Sequence, residues 1–230
     1  MSTLDANYQH IVARIEHACR AAKRPLADVK LLAVSKTKPA AQVRACYALG
    51  QRCFGENYLQ DGLEKITALV DLADIEWHFI GPLQSNKTRA VAEHFHWLET
   101  LARDKIAQRL NDQRPDHLPA LNVLIQVNIS GEPQKAGVML ADIAALAKTV
   151  HALPRLTLRG LMCIPENTDD DALLRQQFEH MQHAWVELSS QYTSVDTLSM
   201  GMSADLELAI ACGSTEVRIG TDIFGARSTL

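Results

Sequence analysis

The sequence predicts an α/β protein, a single (β/α)8 TIM barrel with an extra N-terminal helix. Three observations lead there. Eight short apolar or β-branched runs alternate with helical patterns, the segments after those runs are rich in glycine and polar residues, and 230 residues suit one barrel. An open doubly wound sheet shares the alternation. The asymmetry favours the barrel: Gly55-Glu56-Asn57, Gly81 to Lys87, Ser130-Gly131-Glu132-Pro133 and Gly201-Met202-Ser203 follow strands, while the returns into the next strand are plainer. No repeat or long linker divides the chain, which reads as one domain over residues 1–230.

The elements follow in order. Ile11, Ile15 and Ala18 share one side of the N-terminal helix. The first strand, Lys30 to Lys36, falls in the run Leu31-Leu32-Ala33-Val34-Ser35-Lys36-Thr37-Lys38, which is stopped by Pro39, and Pro39 opens a helix that Gly50 closes. Cys53 to Glu56 is the second strand, and Asn57 with Gln60 reads as a capping box for the helix behind it. Trp77 to Gly81, His96 to Thr100, Leu121 to Ile129 and Thr157 to Ile164 follow as strands. Leu174, Phe178, Met181, Trp185 and Leu188 lie on one face of a long helix, with Thr168 as its cap and Asp169-Asp170-Asp171 at the positive end of its dipole. Thr197 to Gly201 and Val217 to Thr221 complete the eight.

Composition narrows the function. With 47% apolar residues, 22% charged residues and a formal charge of -4, the chain is an ordinary globular protein rather than a disordered or membrane one. Short basic pairs and 5% aromatic residues disfavour a nucleic-acid partner. No secretory signal and no transmembrane run are visible, and five scattered cysteines without a C-x-x-C pair read as reduced residues, so a cytoplasmic location is expected. His94 and His96 lack a clear third ligand, and no metal site is expected. His78 reads as a hydrogen-bonded structural histidine, outside the site together with Ser85.

Lys36 is the residue that most calls for chemistry. A primary amine at a strand exit is paired, solvated, or used in neutral form as a nucleophile. Ser203 stands where it would cap a short helix running toward Cys212, and Gly220-Thr221 offers close backbone approach and a hydroxyl, a pair of loops suited to phosphate. Taken singly, Ser203 is also an ordinary cap, Gly220 a turn glycine, and Arg218 a salt-bridge partner for Glu216 or Asp222. Period-two alternation sets Arg218 and Gly220 on the same side of the last strand, and closure of a barrel would bring both beside Lys36. An amine, a nearby cation favouring its neutral form, and a phosphate cradle suit pyridoxal 5'-phosphate (PLP) held as a Schiff base.

The motifs LLAVSKTKP, CFGENYLQ, WHFIGPLQSNK, QVNISGEPQKAGV, LRGLMCIP, LSMGMSADLELAI and EVRIGTDIFGAR, spread in order over residues 5–227, resemble those of the pyridoxal-phosphate homeostasis family. The resemblance implies the barrel of the alanine racemase group, with Lys36 carrying the cofactor, Ser203, Gly220 and Thr221 around its phosphate, Arg218 near its pyridine nitrogen, and Asn57 nearby. It implies a carrier, buffer or regulator of intracellular PLP rather than an enzyme. A racemase of that group needs a second acid/base, usually a tyrosine from an extra domain and a partner subunit; none of Tyr8, Tyr47, Tyr58 and Tyr192 lies in a matching segment, and Tyr47 and Tyr58 are expected to pack on helices. Without that domain a monomer is expected, with transient contact to PLP-requiring apo-enzymes as its partners. The alternatives are a PLP-dependent amino-acid racemase or decarboxylase and a Schiff-base aldolase. Among the other lysines on the strand-exit face, Lys38, Lys87 and Lys135, Lys135 is the expected place for any secondary adduct.

Overall fold

The computed structural model describes residues 2–226. Its strands form a closed parallel barrel in sequence order, each paired with its neighbours and the last with the first. The chain runs α1 (Thr3–Ala21), β1 (Lys30–Val34), α2 (Ala40–Ala48), β2 (Cys53–Glu56), α3 (Leu59–Ala68), β3 (Glu76–Phe79), α4 (Thr88–His94), β4 (Trp97–Leu101), α5 (Asp104–Gln113), β5 (Leu121–Val127), α6 (Ile143–His151), β6 (Leu156–Cys163), α7 (Asp171–Gln191), β7 (Thr197–Ser199), α8 (Leu206–Ala211), β8 (Glu216–Ile219) and α9 (Thr221–Phe224). The predicted order of strands holds. Arg227, the end of the last motif, lies outside the described residues.

Several ends differ from the sequence reading. β1 stops at Val34 rather than Lys36, because Thr37 takes a left-handed φ of 63° and the Lys38 N–H turns back to the Ser35 carbonyl at 3.0 Å. β8 stops at Ile219, and Thr221 opens a helix instead of ending a strand. Asp170, not Thr168, caps α7, its carboxylate accepting from the Ala172 and Leu173 N–H groups, while Thr168 accepts from Asp170. The expected capping box is absent from α3, where Gln60 reaches Glu64 along the helix instead. Ser203 is no cap either, since α8 begins three residues later and Asp205 holds the preceding turn through the Met202 N–H. At α8 the difference arises where a turn uses the groups that a cap would need, and element ends are where such local bonds decide.

The apolar core lies between the sheet and the helices, with Phe54, Phe95, Leu98, Leu110 and Phe178 fully buried there. Ile11, Ile15 and Ala18 bury the inner face of α1 as expected. That helix packs on α8 and α9, and its Arg14 bonds both Glu207 (2.8 Å) and the Ser203 carbonyl (2.9 Å), so the added helix braces the loops after β7 and β8. All five cysteines are buried and free.

Where β6 meets β7, a Cβ on Gly160 would fall 1.8 Å from the Thr197 carbonyl oxygen, at a φ of 147° that side chains disfavour. Gly160→Ala is therefore expected to cost about 3 kcal/mol or more, since no flexible side chain can yield to the clash. Urea unfolding of the variant beside wild type measures it, and a cost below about 1 kcal/mol would contradict this packing.

Candidate functional site

The strand exits on the carboxyl face surround a cavity of about 420 Å³. Lys36, Asn57, Ser203, Arg218, Gly220 and Thr221, the six residues singled out from sequence, all line it. Their convergence follows from closure: β8 pairs with β1 in a register that sets Arg218 opposite Leu32 and Ile219 opposite Ala33, so the Lys36 turn rises beside Gly220. A Cβ on Gly220 would come within 3.2 Å of the Val34 carbonyl, and glycine keeps that approach open. Val34, Ile80, Met162, Ile164 and Met202 supply an apolar wall that the sequence reading did not assign.

Lys36 is half-buried on a turn held from beneath. Lys65 of α3 is 3% exposed and donates to the Ser35 carbonyl (2.7 Å), to both Glu56 carboxylate oxygens (2.8 and 2.9 Å) and to Asp61 (2.9 Å). Asp61 also accepts from the Thr37 N–H at 2.9 Å, and the Ser35 hydroxyl donates to Glu56 at 2.5 Å. Burial pushes Glu56 up to about 7, with Lys65 pulling it down. A left-handed, β-branched Thr37 stores roughly 1–3 kcal/mol of strain. The one sequence signal for this cluster was Gly62 and Lys65 at i, i+3, which places a lysine on the buried face of α3.

Arg218 meets neither Glu216 nor Asp222. It is 6% exposed and donates to the Ser199 hydroxyl (2.7 Å) and to the Cys163 carbonyl (2.7 Å). Ser199 in turn donates to Glu99 (2.8 Å), whose other oxygen pairs with His78 Nδ1 (2.7 Å). Since β4 and β7 are not neighbours, this chain crosses the lumen of the barrel. His78 is thus the structural histidine expected, stacked on Trp97 at 4.9 Å, and burial holds it neutral with its pKa lowered to about 4.

Two groups, Cys53 with Glu76 and His78, and His78 with Glu99 and Glu216, bring possible metal ligands within 4.8 Å of one another, a juxtaposition that looking at His94 and His96 did not anticipate. His96 accepts from the Trp77 N–H instead. The protein's own cations face these acids: Lys30 lies 3.7 Å from Glu76, and Arg218 reaches Glu99 through Ser199.

Two of the other lysines are engaged, and Lys87 lines a neighbouring cavity instead. Lys38 donates to the Gly225 (2.9 Å) and Ala226 (2.7 Å) carbonyls, and Lys135 pairs with Glu132 at 2.5 Å. Tyr47 packs on its helix and bonds Asp74, as expected; Tyr58 does not, being 51% exposed at the mouth of a neighbouring cavity.

Comparison with known proteins adds a lineage to this geometry. The family model described as alanine racemase, N-terminal domain, matches residues 8–228. A relative from Pasteurella multocida, named pyridoxal phosphate homeostasis protein, is 54% identical over 228 residues, 98% of each chain. The chain belongs to the pyridoxal phosphate homeostasis protein family. Within reach of that family lies the structure of PipY from Synechococcus elongatus PCC7942 with PLP bound, 36% identical, with a TM-score of 0.80, covering 93% of this chain and all of PipY. Alanine racemase from Corynebacterium glutamicum shares the fold at 16% identity and a TM-score of 0.69; the match covers 94% of this chain and 62% of that one.

The lumen of this family member should leave a pH signature. Neither Glu216 carboxyl oxygen has a hydrogen-bond partner among the described residues; its neighbours are His78 and the Glu99 carboxyl, and the latter can bond it only when one of the two acids carries a proton. Burial, then the Glu99 charge, pushes Glu216 up from 4.5 to about 7. Between those values the native state keeps a proton that the unfolded chain releases, so this group's contribution to stability falls as pH rises through the window. His78 acts in the opposite sense between 6.5 and about 4, where the unfolded chain takes up the proton. Glu216→Gln is expected to add on the order of 3 kcal/mol at pH 8 and nothing near pH 4, read from urea unfolding at both pH values; a gain independent of pH would contradict a buried, proton-bearing Glu216.

Proposed function

We propose that the chain binds PLP in the strand-exit cavity, holds it on Lys36 as a Schiff base, and serves PLP homeostasis as a carrier or buffer with little or no turnover. The observation that carries this is the convergence of the Lys36 amine, the Arg218 guanidinium and the Ser203 and Thr221 hydroxyls in a single cavity. The residues present suit the group: Lys36 offers an amine for an aldehyde, Ser203 and Thr221 offer hydroxyls, Gly220 leaves room for an anion to approach backbone, and the first turn of α9 presents N–H groups. The PLP-bound relative PipY supports the same reading.

When bound, PLP supplies an electrophilic carbonyl and an electron-withdrawing ring. Arg218, fixed by Ser199 and the Cys163 carbonyl, would present a cation where a pyridine nitrogen sits, opposing protonation of that nitrogen and weakening the ring as an electron sink. The apolar wall limits water at the amine. Proton transfer to a substrate carbon needs an acid/base across the cavity from Lys36. Among the described residues no histidine, tyrosine, aspartate or glutamate lines the cavity, and Lys38 is committed to two carbonyls. Tyr8 bonds Gln51, Tyr47 bonds Asp74, and Tyr192 packs on His151, all away from it. This supports retention over racemisation.

The reading extends to residues 1–230 as one PLP-binding domain, a monomer in the cytoplasm that meets apo-enzymes transiently. No helix among the described residues is long and apolar enough to cross a membrane.

Wild-type protein incubated with PLP is expected to turn yellow, and borohydride followed by peptide mapping is expected to place the label on Lys36. Lys36→Ala should lose most of the colour, with residual label on Lys135. A colourless wild type would bring forward an aldolase acting on a phosphorylated substrate. Loaded protein should show no racemisation or decarboxylation of amino acids above the rate of free PLP; enzyme-like turnover would replace the carrier reading with the racemase or decarboxylase one.

A further inference from the structure

We propose that Lys65 and Asp61 are positioning residues for Lys36, clamping its turn in a strained conformation from which the amine addresses the cavity. The proposal rests on the reading of Lys36 as the PLP anchor. The turn Ser35 to Lys38 carries Lys36 at its second position and Thr37 at its third, and the third residue has φ 63°, where glycine or asparagine is the usual occupant. A threonine there needs outside support.

The support comes from α3 and acts on both sides of Lys36. Upstream, the Ser35 carbonyl receives two donors, the Lys38 N–H at 3.0 Å and the Lys65 ammonium at 2.7 Å. Downstream, the Thr37 N–H donates to Asp61 at 2.9 Å, and the same carboxylate oxygen accepts from Lys65. Glu56, at the end of β2 and fully buried, closes the ring by bonding Lys65 with both oxygens and accepting from the Ser35 hydroxyl. One ammonium therefore ties β2, α3 and the β1 exit to a single point. A buried lysine spent on a backbone carbonyl is an expensive way to stabilise a barrel. Holding a nucleophile's backbone on both flanks is what a preorganised site requires.

One ammonium faces two carboxylates at the clamp. Glu56 and Asp61 face Lys65 from β2 and α3, and β1 contributes only the Ser35 hydroxyl and backbone. Removing Lys65 would leave Glu56 buried without its cation, so Lys65→Met alone could fail to fold. Asp61 is 32% exposed at its side chain and can be removed with less risk.

The test uses Asp61→Ala, Asp61→Asn, Lys65→Met and the double variant Asp61→Ala/Thr37→Gly, with two readouts. In the cofactor-free protein, amide hydrogen exchange at Thr37 should quicken about tenfold or more in Asp61→Ala, with remote core amides unchanged. On titration with PLP, followed by colour, Asp61→Ala should bind about tenfold more weakly while still labelling at Lys36. Asp61→Asn, which keeps an oxygen for the Thr37 N–H, should fall between. Adding Thr37→Gly, which takes the left-handed conformation without strain, should bring PLP affinity back to within about threefold of wild type. A purely structural role would lower the melting temperature without that rescue. Unchanged Thr37 exchange and unchanged PLP affinity in folded Asp61→Ala would overturn the clamp, as would a double variant no better than the single. A wild type that never turns yellow, with Thr37 exchange still quickened by Asp61→Ala, would sink the PLP reading and leave the clamp standing.

Discussion

Pairing of the last strand with the first is the constraint on which the rest of this protein depends. Through it, residues almost two hundred positions apart in sequence become neighbours, with Leu32 opposite Arg218 and Ala33 opposite Ile219. Without closure, the Lys36 turn and the Gly220 loop would stand at opposite edges of a sheet, and no cavity would form between them. Closure also spares the molecule two exposed strand edges, which in an open sheet would need covering. The N-terminal helix reinforces the seam from outside, with Arg14 bonded to the Ser203 carbonyl and to Glu207 beyond it.

Closure has an electrostatic consequence inside the barrel. A lumen of this size is ordinarily packed with branched apolar side chains. Here Trp97, Leu124 and Met162 form a small apolar cluster apart from the main core, while Glu99, Ser199 and Arg218 make a hydrogen-bonded path across the interior. At the amino-terminal mouth Trp97 lies beneath Lys30 and Arg159, each 4.9 Å from its ring, and donates to Glu76. Charged and polar groups thus occur at both ends of the lumen, and the upper end is the Arg218 guanidinium that lines the cavity. Buried charge of this kind adds little to stability against an apolar alternative, so its value lies in fixing where Arg218 stands.

A second buried cluster, around Lys65, serves the other wall. The two clusters hold two of the cationic side chains of the candidate site by different means: Arg218 through its own N–H groups, Lys36 through the backbone on either side of it. The difference is physical. A guanidinium can be anchored at some of its five donors and still present others, whereas a lysine whose amine must react can be held firmly only by its main chain.

The sequence by itself determined the eight strands and their order, the buried face of α1, and six of the residues that line the cavity. Those features rest on period-two and helical patterning, on the strand-stopping Pro39, and on glycines placed after strands, all local signals, except that Asn57 came from the family resemblance alone. It misjudged the ends, β1 at Val34, the cap of α7 at Asp170 and Ser203 as a cap, because caps and turns compete for the same few backbone groups at differences of about 1 kcal/mol, and it misjudged the exposure of Tyr58, which depends on tertiary packing. Only the tertiary structure decided that Lys65 sits under Lys36 and that Arg218 answers to Ser199 rather than to Glu216 or Asp222. Both depend on which charged side chains the closed barrel forces out of water, and the spacing of charges along a chain carries no record of the partners that burial will leave within reach.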